Sequence, residues 1–290
     1  MKTAPREARV LGVFPTCLYL HLGAHDAVLA VLTRDAVLQP IGLRLAARSG
    51  RVQWQVGAGD VVVVGGGRVR LPRADVVAAR VQHLPRVAPS SPPRLWSPGP
   101  LELGGLGTTG PLELGGLGTT GPLDGGGGGG VLTGLAHDLA AAALADQPVA
   151  HLVRSLVRSL VGSGRGLTPS GDDAVAGVLL ALRSGGELGA VRAVDDQVRA
   201  VSHTTTSISA ALLRAAAQGY AAPEVVALVD LLAPSRLTPT SGQRVARALE
   251  RVLAIGHSSG RDLVSGLAGA RRALAAHLPT RTIPEGAVHG

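Results

Sequence analysis

At 290 residues the chain is long enough for two domains of ordinary size and a sizeable core. Hydrophobic residues make up 46% and charged residues only 17%, and the aromatics are few (Phe14, Tyr19, Trp54, Trp96 and Tyr220), which excludes a module that stacks bases on rings. The formal net charge is +8, yet Lys2 is the lone lysine among 28 basic residues and the arginines are dispersed, with no run longer than Arg271-Arg272; this reads as GC-rich coding rather than a stripe for a polyanion, and no nucleic-acid partner is expected.

The N-terminal stretch places Lys2, Arg6 and Arg9 ahead of an apolar run, Val10 to Leu20, that Pro15 interrupts. No small-residue cleavage site follows, and no segment approaches a transmembrane span, so a cytoplasmic protein without membrane contact is expected. Cys17 is alone, which excludes an internal disulfide and a cysteine-based metal site. Short Val- and Leu-rich segments follow at 16–22, 27–33, 41–46, 52–56 and 60–64. Turn-forming pairs such as Gly23-Ala24, Gln39-Pro40, Ser49-Gly50 and Ala58-Gly59 separate them. Alternation in Val52-Gln53-Trp54-Gln55-Val56 predicts half-buried antiparallel strands. Residues 1–95 are therefore expected to form an antiparallel barrel- or sandwich-like module, closed by a short helix at 74–80.

The composition then changes abruptly. Pro100–Gly110 is repeated residue for residue as Pro111–Gly121, and Pro122-Leu123-Asp124 leads into six glycines. A perfect eleven-residue tandem looks like a recent duplication, too short for a solenoid unit and without the Gly-Lys-Ser/Thr ending of a phosphate loop. Residues 96–130 are expected to be a flexible linker. From Val131 onward the signal is helical. Leu152, Val153, Leu156, Val157, Leu160 and Val161 mark one apolar face. Further helices are expected at about 172–183, 187–201, 207–218, 223–232, 243–255 and 261–278, with Gly219 and Gly256 at C-caps and a Thr240/Gln243 capping box. The fold class is α+β, with a mainly α-helical domain at 131–290.

Three polar loops interrupt this alanine-rich half, each leading into a helix N-terminus. The first runs from Gly162 to Asp173 and carries Gly164, Gly166, Thr168, Ser170, Gly171, Asp172 and Asp173. The second, Ser202–Ser209, has six hydroxyls and His203, with Thr204, Thr205 and Thr206 in a row. The third is Gly256–Asp262, with His257, Ser258, Ser259, Gly260, Arg261 and Asp262. Alternate glycines and helix N-termini expose N–H groups to an anion. The first and third loops share Ser-Gly-x-Asp-x-x-x-Gly, Ser170 to Gly177 and Ser259 to Gly266, at a constant offset of 89 positions. In this pattern the serine caps, the aspartate lies in the first turn and the later glycine permits close helix packing. Each loop alone is explained by ordinary capping. Together, two carboxylates, two histidines and a row of hydroxyls are expensive in an apolar domain unless they meet one another or a ligand.

These residues resemble the AllH-type family, which includes the AllH subunit of oxamate carbamoyltransferase: Gly164-x-Gly166-Leu-Thr-Pro-Ser-Gly-Asp-Asp173, Thr204–Ser209 and Ser258–Asp262 with Gly266. The tandem repeat and glycine run depart from it. The resemblance implies a role in allantoin and purine-nitrogen catabolism, where oxalurate and phosphate give oxamate and carbamoyl phosphate. It implies partners as well: an FdrA-like AllF subunit and an AllG-like subunit. On that basis the loops would form one pocket, with His203 or His257 as general acid, Asp173 orienting it, and Gly164, Gly166, Thr168, Ser170, Gly171, Asp172, Thr204–Thr206, Ser258–Gly260, Arg261 and Asp262 holding the anionic substrate and phosphate. Two other classes fit the same residues: a non-catalytic anion-binding subunit, and a small-molecule phosphotransferase using Asp172 and Asp173 for Mg²⁺.

Overall fold

The computed structural model describes residues 4–90, 128–145, 149–233 and 241–277. The tandem repeat, most of the expected linker and Thr240 lie outside them. The N-terminal part is a seven-stranded sheet: β1 (Arg6–Val13), β2 (Cys17–His21), β3 (Val28–Leu32), β4 (Gly42–Arg44), β5 (Val61–Gly65), β6 (Arg68–Leu71) and β7 (Ala74–Val77). Their order is β4-β3-β2-β1-β5-β6-β7. Every pairing is antiparallel except β3 with β4, which run parallel because the chain crosses back over residues 33–41 before pairing again.

Two local expectations are corrected. Residues 74–80 form no helix; Ala74–Val77 is the last strand, because the Pro72-Arg73 turn closes a hairpin in which Leu71 faces Ala74 and Val69 faces Val76. Val52–Val56 alternates like a strand but is not one. Gln55 takes a left-handed φ of 50°, and Trp54 turns inward to donate its indole N–H to the Phe14 carbonyl at 2.8 Å.

The sheet buries both faces, which is why β2 and β3 read as nearly continuous apolar runs. Leu18, Leu20 and Val31 turn to one side and pack with Ala8, Val10, Trp54, Val62 and Val69 in the module's own core. Tyr19, Val28, Ala30 and Leu32 turn to the other side, against Ile208 and Ala211 of the helical region.

That region contains α1 (Gly128–Leu144), α2 (Ala150–Leu160), α3 (Ser170–Ser184), α4 (Leu188–Val201), α5 (Ser207–Ala217), α6 (Pro223–Leu231), α7 (Ser241–Leu253) and α8 (Ser259–His277). Helix α3 is its axis, buried without a break from Ala174 to Leu182. The shared Ser-Gly-x-Asp-x-x-x-Gly pattern marks two repeated helix–turn–helix units, α2–α3 and α7–α8. A Cβ on Gly171 would lie 1.9 Å from the Leu160 carbonyl oxygen, and one on Gly260 would lie 1.9 Å from that of Val252. The later glycines bring α3 and α8 together: a Cβ on Gly177 would meet Leu263 O at 2.3 Å, and one on Gly266 would meet Ala174 O at 2.0 Å. The expected packing role of these glycines is thus met in each helix by the backbone of the other.

The segment leaving the sheet straps across the helices. Val87 donates its N–H to Gly219 O at 2.9 Å, its own carbonyl accepts from Arg183 Nε at 2.9 Å, and Ser90 donates to Ser184 O at 2.7 Å. On the other side, Arg214 of α5 pairs with Asp26 in the β2–β3 turn. These contacts hold the sheet against α5 and fix the space between them.

Candidate functional site

The three loops meet at the start of α3. Its first turn presents two consecutive aspartates, which helical geometry points in different directions. Asp172 is buried, at 2% exposure, and turns toward the second loop. It accepts from Gly162 N at 2.9 Å, from Ser209 Oγ at 2.7 Å and from Thr205 Oγ1. Thr206 caps α5, accepting from Ser209 N at 3.0 Å, and donates its hydroxyl to the Leu167 carbonyl. Gly162 has φ 79°, and a Cβ there would strike the Thr204 carbonyl oxygen at 2.5 Å, so only glycine lets these loops touch. Burial pushes the Asp172 carboxyl up, while the Thr205, Ser209 and Gly162 donors pull it back. Asp172 is a knot between loops, with its oxygens already engaged.

Asp173 turns toward the third loop. It is hydrogen-bonded by the Ser259 and Thr168 hydroxyls, which also bond each other at 2.9 Å. Its Oδ2 is buried and has no partner among the described residues. Burial chiefly pushes its pKa up to about 8; Asp262 and Asp172 add to this, against the two hydroxyls. At neutral pH Asp173 is therefore largely a carboxylic acid, able to donate a proton. Asp262, 7% exposed in the first turn of α8, also has a buried Oδ2 without a partner among the described residues.

Asp173 lines a cavity of ≈ 400 Å³ between the sheet and the helices. One wall comes from the sheet and its connections: Cys17 and Tyr19 of β2, Leu32 of β3, and Thr16 and Gln39 outside the strands. The opposite wall comes from Thr168, Asp173 and Leu180 on the α3 side and Ser259, Gly260 and Leu263 on the α8 side. Ile208, Leu212 and Ala216 of α5 close it. Gln39 donates Nε2–H to the Tyr19 hydroxyl at 2.7 Å, leaving Oε1 buried without a partner among the described residues. Burial raises the Cys17 thiol and the Tyr19 phenol, keeping both neutral. Among the described residues that line it there is no Lys, Arg or His.

Of the residues singled out from sequence, Thr168, Asp173, Ser259 and Gly260 line this cavity. Asp172, Thr205 and Thr206 tie the loops behind it. Gly164 and Gly166 sit in the exposed part of the first loop at φ 112° and 97°. Ser170 is the first residue of α3 and makes no capping bond, because Pro169 occupies the cap. Gly171 packs on Leu160, Ser258 supplies its carbonyl to Asp262 N at 3.0 Å, and Thr204 donates its hydroxyl to Val201 O at 2.8 Å. His203, His257 and Arg261 are exposed and lie outside the cavity lining. The sheet-side residues Cys17, Tyr19 and Gln39 carried no motif; Gln39 registered only as half of a turn pair. Among the described residues no group of three or more His, Cys, Asp and Glu side chains is placed to hold a metal. The Asp172–Asp173 pair does not suit Mg²⁺, because Asp172's oxygens already accept from N–H and O–H donors.

Residues 160–271 match the family of oxamate carbamoyltransferase subunit AllH. The matched stretch starts at the end of α2 and stops within α8, so this AllH-type segment contains all three loops and the α3–α8 crossing. The sheet wall of the cavity lies outside it. No solved structure matches the chain. Among the described residues no helix is long and apolar enough to cross a membrane.

Proposed function

We propose that this chain is a subunit of an oxamate carbamoyltransferase-type assembly and that the Asp173 end of the cavity handles the nitrogen leaving group. The supporting observation is a partly buried, largely protonated Asp173 whose buried Oδ2 has no partner among the described residues, within the segment that carries the AllH match. When phosphate attacks the carbamoyl carbon of oxalurate, the C–N bond to the oxamate nitrogen breaks and that nitrogen needs a proton. Asp173 supplies it and becomes a carboxylate, stabilised by Ser259 and Thr168; a proton from solvent restores it. This role passes to Asp173 rather than to His203 or His257, which stand outside the cavity.

Oxalurate and phosphate are anions, and among the described residues the lining brings them no cation. The counter-charges then come from FdrA/AllF-like and AllG-like partner subunits, which makes turnover a property of the assembly. Reconstitution with those partners tests this reading. Asp173→Asn, which keeps a polar side chain of the same shape but no acidic proton, should lower turnover by about 10²-fold or more and remove the basic limb of the pH–rate profile. Full activity in Asp173→Asn, or an unchanged profile, would leave the cavity without a catalytic part.

A further inference from the structure

The cavity is far larger and more apolar than a ligand as small and polar as oxalurate requires. Leu32, Leu180, Ile208, Leu212, Val225 and Leu263 line it, drawn from the sheet, α3, α5, α6 and α8. Two polar atoms in that wall are buried and unpartnered, Gln39 Oε1 on the sheet side and Asp173 Oδ2 on the helix side. Gln39 Oε1 is an acceptor that an N–H group would satisfy, and the protonated Asp173 offers its Oδ2–H to a carbonyl oxygen. An anion is disfavoured, since among the described residues no cationic side chain lines the space and Asp262 and Asp172 stand beside Asp173. A pocket of this volume, apolar with a few fixed polar groups, is the form that small-molecule sites take.

We infer that the cavity binds an amide with a hydrocarbon body, its carbonyl oxygen accepting from Asp173 Oδ2–H, its N–H donating to Gln39 Oε1, and its chain along Leu32, Leu212 and Val225. The inference rests on the reading that Asp173 is the protonated acid facing the substrate, and it changes the expected substrate class from a small polar ureide to an amide or ureide carrying an apolar substituent. Hydrocarbon burial supplies the affinity: each methylene taken from water contributes about 0.8 kcal/mol, close to fourfold in binding. The polar head sets direction and selects against carboxylates.

Cys17 provides a readout that needs no activity. It is the single cysteine of the chain and it lines the cavity, so an occupant slows its reaction with methyl methanethiosulfonate, followed by intact mass. Hexanamide in tenfold excess over its dissociation constant should slow labelling about tenfold. Acetamide and hexanoate at the same concentration should not. Leu212→Trp, which fills the hydrocarbon end, should abolish the shielding by hexanamide while circular dichroism reports unchanged helix; Ala36→Phe does the same from the sheet side should the first variant fail to fold. Equal shielding by acetamide or hexanoate, or none by any probe, overturns the inference. Shielding by oxalurate with none by hexanamide overturns it too, but leaves the carbamoyltransferase reading standing. Shielding by hexanamide together with full turnover of Asp173→Asn in the assembly has the reverse meaning: the ligand site stands and the catalytic reading fails.

Discussion

Truncating Asp172 would strand three donors that now converge on it: Gly162 N–H, the Thr205 hydroxyl and the Ser209 hydroxyl. Asp172→Ala is expected to destabilise the protein by about 3 kcal/mol or more, seen as a lower midpoint in urea unfolding with an unchanged slope. Its neighbour behaves differently. Asp173 binds its proton more tightly in the folded protein, at about 8, than at the ordinary value of 3.8. The stability supplied by that proton is fully present below about pH 4 and is lost as pH rises through about 8. The melting temperature of the parent should therefore fall between pH 5 and pH 9, and Asp173→Asn should flatten that slope. Asp172 is raised in the same direction, so the variant keeps a smaller residual slope. A parent whose melting temperature is level over this range would contradict the buried, protonated state. Adjacent aspartates in one motif were visible in the sequence. That one is a structural knot and the other an open acid was not, because their division of labour depends on which loop each side chain faces.

At the level of elements, the paired Ser-Gly-x-Asp-x-x-x-Gly patterns were the most informative feature of the chain. Their glycines announced close packing, and the helices they open do cross with each later glycine against the other's backbone. Their serines misled: Ser170 begins a helix that Pro169 caps without a side-chain bond. The β-module was legible where turns punctuated it and misread where a single residue decided the conformation, as at Gln55, whose positive φ breaks an alternating run. The crossing also yields a paired test. Gly266→Ala forces a methyl to within 2.0 Å of the Ala174 carbonyl oxygen and should cost about 1–3 kcal/mol or more. Gly134→Ala, on the exposed face of α1 with nothing within 4 Å, should instead stabilise by about 0.5–1 kcal/mol through helix propensity. Thermal melts of the two variants should move in opposite directions. Movement in the same direction would mean that α3 and α8 are not in backbone contact.

For the molecule as a whole, the cavity is a consequence of docking, and docking is what one-dimensional periodicity does not record. Strands β2 and β3 advertise burial on both faces, but nothing in Tyr19 or Ala30 names α5 as the partner. The polar residues of the sheet wall, Cys17 and Gln39, lie more than a hundred positions before Asp173 and share no spacing with it. Ile208 sits where these parts join: it is 3% exposed, packs on the outward face of β2 and β3, and lines the cavity. Ile208→Ala removes packing from both and is expected to cost about 2–4 kcal/mol. Because the loss falls at the seam, the sheet should open from α5 more often, exposing Cys17 to faster labelling by methyl methanethiosulfonate. Leu228→Ala is the comparison, since Leu228 is equally buried, at 2% exposure, but belongs to the helical core and does not line the cavity. It should lower the melting temperature by a similar amount and leave the Cys17 rate unchanged under native conditions. Equal acceleration in both variants would mean that Cys17 reacts only after global unfolding, and that sheet and helices separate as one cooperative unit rather than at a seam of their own.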